Sequence, residues 1–168
     1  MNRLWSPWRS QYISSFKDED RSNTCIFCGQ EDSDIHNENN LLVHKDAKVF
    51  TVLNLFPYNS GHLMIVPYRH LGSLIELTDE ENLAVMKNLQ LASQALESAM
   101  KPHGFNVGAN FGRVAGAGID QHIHFHIVPR WNGDINFMPV IGDVKVISQD
   151  LLETKRSLIE AFAKISSK

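Results

Sequence analysis

From Leu41 the chain falls into short runs rich in β-branched and large apolar residues. The first two, Leu41-Leu-Val-His-Lys45 and Lys48-Val-Phe-Thr-Val-Leu-Asn-Leu-Phe56, flank Asp46-Ala47 and predict a hairpin. Turn residues in Pro57-Tyr-Asn-Ser-Gly61 interrupt the pattern. His62-Leu-Met-Ile-Val-Pro67 follows, apolar almost throughout, which predicts a central strand covered on both faces; Tyr68-Arg-His70 reads as a loop. The period then lengthens. Thr78 and Glu81 make a capping box, Asp79 and Glu80 suit the positive end of a helix dipole, and Leu83, Met86, Leu89, Ala92, Ala95, Leu96 and Ala99 recur at helical spacing up to Pro102. Met64, Met86 and Met100 are read as core.

Beyond that helix, Phe105 to Phe111 reads as a strand and Gly112 to Gly118 as a glycine-rich loop. Gln121 to Trp131, QHIHFHIVPRW, reads as a strand neighbouring the first, closed by the turn Trp131-Asn-Gly-Asp134. Residues 135 to 147 show no dominant period, whereas 150 to 165 place Leu151, Leu152, Lys155, Leu158, Ile159, Phe162 and Ile165 at a mainly helical one. Upstream, residues 1 to 16 carry Trp5, Trp8, Tyr12, Ile13 and Phe16, with Pro7 at a position suited to start a short helix; this arm is expected to dock on the body or on a partner. The polar run EDSDIHNENN after Cys28 is expected to be the most mobile part. A run of strands interrupted by one long helix and closed by another predicts an α+β fold: an antiparallel sheet of about five strands with the long and the C-terminal helix packed on it. The 168 residues fit one domain, with 1–40 as arm and knuckle and 41–168 as core.

Composition narrows the class. With 43% hydrophobic residues the chain can build a proper core, and its formal charge of -3 argues against broad nucleic-acid binding. No apolar run approaches the about 18 residues needed to span a bilayer, and the start lacks a signal-peptide apolar region, so no membrane partner and a cytoplasmic location are expected. The two cysteines, Cys25 and Cys28, form a CxxC. Without an export signal, metal or redox chemistry is favoured over a structural disulfide, and no strand-to-helix unit suggests a thioredoxin-like motif.

The candidate chemistry lies in QHIHFHIVPRW. Alternation along a strand places His122, His124 and His126 on one face and Ile123, Phe125 and Ile127 on the other. At about 3.3 Å per residue the outer two imidazoles lie roughly 13 Å apart, too far to share one metal ion. Rings that are merely hydrogen-bonded core are the plain alternative; against it stands the loop Gly112-Arg-Val-Ala-Gly-Ala-Gly118, which offers backbone N–H groups to an anion such as phosphate.

The pattern His-φ-His-φ-His-φ-φ, completed by Ile127 and Val128, resembles the histidine-triad (HIT) superfamily of nucleotidyl hydrolases and transferases. The likeness covers roughly residues 41 to 165. It includes Asn54 and Asn59-Ser-Gly61-His62, and through LNLFPYNSGHLMIVPYRH, KPHGFNVGANFG and HIVPRWNGDINF it is strongest to the bacterial diadenosine tetraphosphate phosphorylase branch. The resemblance implies that His124 attacks the α-phosphorus of a nucleoside polyphosphate to form a nucleotidyl-imidazole, with phosphate or water as the second acceptor. It assigns His126 to the phosphate or leaving-group oxygens, and His62 to holding that constellation. Asn54 is assigned to the ribose, Asn110 to a lesser contact near the phosphates, and amides around Ala117 and Gly118 to the nonbridging oxygens. Relatives commonly carry Gln or Ser where this chain has Gly118, which shifts leaving-group assistance to His126, backbone, Gln121 or a bound cation such as Mg2+ carried with the polyphosphate. Arg113 is either a distal-phosphate contact or a solvated loop residue.

Zinc-bearing relatives imply that His70 and His122 join Cys25 and Cys28 around a structural zinc. Substitution by His44 or His36, and free thiols without metal, are the alternatives. The resemblance also implies a homodimer through the long helix and the neighbouring edge strand. Two other readings stay open: a nucleotide-binding regulatory module with little turnover, and a catalytic metal held by His122 and His124.

Overall fold

The computed structural model describes residues 25–134 and 150–167. The aromatic N-terminal arm and the unassigned stretch at 135–147 lie outside the described residues. Five strands form one sheet: β1 (Leu42–Lys45), β2 (Val49–Leu53), β3 (Leu63–Pro67), β4 (Gly104–Gly108) and β5 (Phe125–Arg130). Their order is β1-β2-β3-β5-β4, with every neighbouring pair antiparallel. Two helices accompany the sheet, α1 (Asp79–Met100) and α2 (Leu151–Ser166). The α+β expectation holds, including the β1–β2 hairpin and the central place of β3. No helix among the described residues is long and apolar enough to cross a membrane.

Alternation along β3 explains its uniform burial. Leu63 and Ile65 point into a core shared with Val85, Leu89 and Leu96 of α1 and with Leu158 and Phe162 of α2. Met64 and Val66 point the other way, into a second cluster with Phe27, Leu42 and Phe50, to which no described helix contributes. Helices therefore cover one face, and the CxxC knuckle covers part of the other.

The α1 boundaries follow the sequence signals. The Thr78 hydroxyl accepts the Glu81 N–H while the Glu81 carboxylate accepts the Thr78 N–H, and the helix ends at Lys101, left-handed at φ 48°, before Pro102. Its buried stripe is corrected. Ala84, Val85 and Asn88 face the core, whereas Leu83 and Met86 are 55% and 57% exposed. Met86 is thus a surface residue. The polar run from Gln30 to Asn40 is folded as consecutive turns, and Lys155 of α2, itself buried, donates from Nζ to the Asn37 carbonyl and to both oxygens of Asn40.

The histidine segment is also corrected in extent. The β3–β5 register pairs Leu63 with Ile127, Met64 with His126 and Ile65 with Phe125, and stops there. Continuing it would set Pro67 opposite Ile123, and proline has no N–H to donate to the ladder. Ile123 instead donates its N–H to the Leu71 carbonyl at 2.7 Å. His122 and His124 consequently sit in the lead-in to β5, which bends at His122, and the predicted strand through Phe111 likewise ends at Gly108.

Candidate functional site

The three histidines divide between two clusters along one line of the helix-free face. At its first end, Cys25 and Cys28 come together with His70, just past β3, and with His122. Cys25 Sγ lies 3.3 Å from His122 Nδ1, and Cys28 Sγ lies 3.3 Å from His70 Nδ1 and 3.8 Å from His122 Nδ1. All four donor atoms fall within 4.8 Å of one another, in the one such group among the described residues. The His122 ring is oriented for this. Its Nε2 lies 2.8 Å from the Pro67 carbonyl oxygen, which can only accept, so Nε2 carries the proton and Nδ1 is left with its lone pair toward the thiols. Two thiols and two imidazoles closing on one point suit a tetrahedral zinc ion, and His36 and His44 take no part. His44 stacks instead on Phe162, ring centroids 4.8 Å apart.

Neutral imidazoles form the other cluster. His124 Nδ1 lies 2.9 Å from the carbonyl oxygen of His122; Nδ1 therefore carries the proton and the basic lone pair resides on Nε2. Burial lowers the His124 pKa, with the hydrogen bond to His122 opposing, so the ring is neutral at pH 7. His126 is pulled down further, to about 4, by burial and by the neighbouring His124.

Its tautomer is set from behind. The Tyr58 N–H donates to His62 Nδ1 at 3.0 Å, which leaves the His62 proton on Nε2; that N–H donates to His126 Nδ1 at 3.0 Å and places the His126 proton on its own Nε2. Asn54 reinforces the arrangement, with its Oδ1 accepting the Phe56 N–H and its Nδ2 3.4 Å from His62 Nδ1. The only buried side-chain polar atoms without a partner among the described residues are Thr51 Oγ1 and Asn88 Oδ1. The outward nitrogens of His124 and His126 are therefore not sealed from solvent. A lone pair on one ring stands beside an N–H on the next, with ring centroids 5.0 Å apart. The pair can present a nucleophile and a hydrogen-bond donor to one phosphoryl group.

The glycine-rich loop closes on itself through a 3-10 turn at Arg113–Ala115. The Ala117 N–H reaches back to the Gly112 carbonyl at 3.3 Å, so the Gly118 amide is the one of the two that no loop turn engages. Asn110 Nδ2 approaches the Gly116 carbonyl at 3.4 Å, bracing the loop, and Arg113 pairs with Asp120 at 2.9 Å rather than standing alone.

Three contributors were given no role by the sequence. Phe27, inside the CxxC, packs on both His122 and His124 at centroid distances of 5.5 and 5.3 Å. Tyr58, read only as a turn residue, lays its ring on His62 and His126 at 4.7 and 5.9 Å. Asn59 locks that turn by donating to the Pro129 carbonyl and to Asp134, whose carboxylate Arg130 holds at a pKa of about 2.

Known proteins share this arrangement of sequence and fold. The HIT domain model matches residues 36–133. An AP-4-A phosphorylase of Mycobacterium tuberculosis is 41% identical over 167 residues, covering 98% of this chain and 86% of that protein. An adenosine 5'-monophosphoramidase of Schizosaccharomyces pombe is 30% identical over 109 residues, 65% of this chain and 76% of that protein. Among solved structures, a Zn-bound histidine triad family protein from Mycobacterium smegmatis superposes with a TM-score of 0.63 at 26% identity, over 76% of this chain and 87% of that one. The family model spans more than half of the sequence, and the chain belongs to the HIT domain family.

Proposed function

We propose that the protein cleaves a dinucleoside polyphosphate, diadenosine tetraphosphate as the best single choice, at an α-phosphate through a nucleotidyl-His124 intermediate. The observation that carries this reading is the fixed tautomer of His124. Its Nδ1–H is held by the His122 carbonyl, and its Nε2 lone pair is open beside the Nε2–H of His126. In the first step that lone pair forms a bond to the α-phosphorus as the bridging P–O bond breaks, and the bond's electron pair leaves with the departing nucleotide. Phosphate or water then attacks the same phosphorus and returns the lone pair to His124. The 41% identity to an AP-4-A phosphorylase supports the substrate and favours phosphate as acceptor.

The other roles are those the family resemblance implies, supported by the contacts around each residue. His126 donates to the oxygens around the reacting phosphorus, and His62 keeps it in the donating tautomer. Asn54, fixed by Phe56 and His62, faces the ribose; Asn110 braces the loop whose Gly118 amide, with Ala117 beside it, meets the nonbridging oxygens. Gly118 offers no side chain to the leaving group. A polyphosphate tolerates this, because a terminal phosphate with a second pKa near about 6 departs as a stable anion, helped by Mg2+ travelling with the substrate. An amine leaving group needs a proton, so anhydrides are the favoured class over phosphoramidates.

Cys25, Cys28, His70 and His122 would hold a zinc ion, whose contribution is to fasten the knuckle to the sheet. The homodimer would bury the β4 edge, where Val107 is exposed, together with Leu83 and Met86 of α1.

Incubating the protein with diadenosine tetraphosphate, with and without phosphate, tests the reading. ADP plus ATP is expected with phosphate present; AMP plus ATP in its absence marks water as a second acceptor. The His124→Ala protein is expected to be inactive. Nucleotide binding without product in the wild type, or full turnover in His124→Ala, overturns the mechanism.

A further inference from the structure

The CxxC knuckle does more than present two thiols. Its two interior residues diverge: Ile26 is 61% exposed, whereas Phe27 is 4% exposed and points inward. The Phe27 ring meets the edge of His122 at 80° and lies at 50° to His124, with centroids 5.5 and 5.3 Å away, and its far side rests on Phe50 at 6.3 Å. His124 itself has few restraints. One hydrogen bond, Nδ1 to the His122 carbonyl at 2.9 Å, fixes the tautomer, and a ring that swings away from that carbonyl loses the contact that fixes it. His126 bounds it on one side, 5.0 Å away and at 84°. Phe27 supplies another wall.

The backbone that carries Phe27 is fixed at both ends. The Cys28 N–H returns to the Cys25 carbonyl at 3.2 Å, and the two thiols reach His122 and His70, so the tight turn is pinned to the sheet on either side of the aromatic residue. We infer that Phe27 is a positioning residue for His124, held by the knuckle so that its ring keeps the nucleophile's imidazole at the angle that aims Nε2 at phosphorus. This deepens the proposed function and rests on it. The ring contacts of Phe27 fall on His122, His124 and Phe50, so its influence is directed at the reacting geometry.

The test compares wild type with Phe27→Leu and Phe27→Ala, all metal-loaded, assayed with diadenosine tetraphosphate and phosphate well below the lowest unfolding midpoint. Misplacing a reacting group by about 1 Å costs on the order of 100-fold in rate. Phe27→Ala is therefore expected to lose about 10- to 100-fold in kcat with KM nearly unchanged. Phe27→Leu refills most of the space without the flat ring and should fall between the two.

A readout independent of turnover accompanies the kinetics. Long-range 1H–15N correlation of the imidazoles at fixed neutral pH should show His124 as the Nδ1–H tautomer in wild type and as a tautomer mixture in Phe27→Ala. Zinc content should stay the same in all three, which separates loss of the wall from loss of the metal. If Phe27→Ala does not fold, Phe27→Leu carries the comparison alone. Wild-type kcat together with an unchanged His124 tautomer in a folded variant overturns the inference. An inactive wild type whose His124 tautomer still depends on Phe27 would overturn the proposed function and leave the positioning role standing.

Discussion

Gly61, immediately before His62, is the position at which substitution tests the packing behind the site most directly. It is buried at the turn into β3 with φ +74°, and a Cβ built there would meet Met100 Sδ at 2.5 Å, Leu96 Cδ2 at 3.1 Å and Met100 Cε at 3.2 Å. Gly61→Ala therefore carries two costs. Left-handed backbone costs an alanine about 1–2 kcal/mol. Overpacking against the end of α1 adds about 1–3 kcal/mol. The smaller entropy of the unfolded alanine chain returns roughly 0.4–1 kcal/mol, so the net loss is about 2–4 kcal/mol. Met100 separates the two costs, because it is the flexible neighbour that the new methyl strikes. In a Met100→Ala background the backbone cost remains with only the 3.1 Å approach to Leu96, and Gly61→Ala should cost about 1 kcal/mol, which gives a coupling of about 1–3 kcal/mol. Urea unfolding of the four proteins measures it. A Gly61→Ala loss below about 0.5 kcal/mol would refute the strained turn, and a coupling near zero would refute the seat of α1 behind it.

Three further outcomes follow from the same structure. Lys155→Met keeps the aliphatic bulk but removes the donor to exposed Asn37 and half-buried Asn40, whose oxygens can turn to water; the expected loss is at the lower end of the buried-acceptor range, about 1 kcal/mol, with faster proteolytic cleavage between residues 30 and 40. His126, at about 4 when folded and near 6.5 when unfolded, is protonated preferentially in the unfolded chain, so its contribution is present above pH 6.5 and lost as pH falls toward 4. Glu81 and Asp134, each at about 2 when folded, lose theirs only as pH falls from about 4.5 toward 2. Urea midpoints against pH should thus fall in two stages, with the upper stage flattened in His126→Gln; a flat midpoint between pH 6.5 and 4.5 contradicts the buried neutral pair. Metal analysis should find about one zinc per chain, and chelation or Cys28→Ser should lower the unfolding temperature; purified protein without zinc would show that the four donors serve no metal.

Much of the fold was legible because its signals are local. The capping box at Thr78, the turn residues around Asn59 and the unbroken apolar run of β3 each depend on residues a few positions apart. The stripe of α1 was misjudged where side-chain size replaced geometry. Leu83 and Met86 are large, yet the surface toward the sheet is made by Ala84, Val85, Asn88 and Ala92, small or short residues beside Leu89 that let the helix approach closely. The late start of β5 was legible in principle from Pro67, but only once the register was known. Phe27, Lys155 and the Asn59–Asp134 lock were beyond reach because each acts across about 70 residues or more.

One regularity ties the histidines together. Each ring has one nitrogen committed to the protein: His122 Nε2 to Pro67, His124 Nδ1 to the carbonyl of His122, His126 Nδ1 to His62, and His62 Nδ1 to the Tyr58 amide. His62 spends its second nitrogen on His126, and what remains on each of the other three is a single nitrogen of known character. His122 is left a lone pair facing two thiols, His124 a lone pair beside the reaction face, and His126 an N–H next to it. Spacing along the extended chain cannot assign such roles, since all three residues are chemically identical and point the same way. The difference arises from what stands behind each ring, and two of those partners are backbone carbonyls while a third is a chain of donors that begins at a backbone amide. Side-chain substitution at the backbone sites would not remove those partners. Displacing the segments that carry them would, which is why the turn at Gly61 and the wall at Phe27 are the places where the distinction among the three imidazoles can be broken without touching any of them.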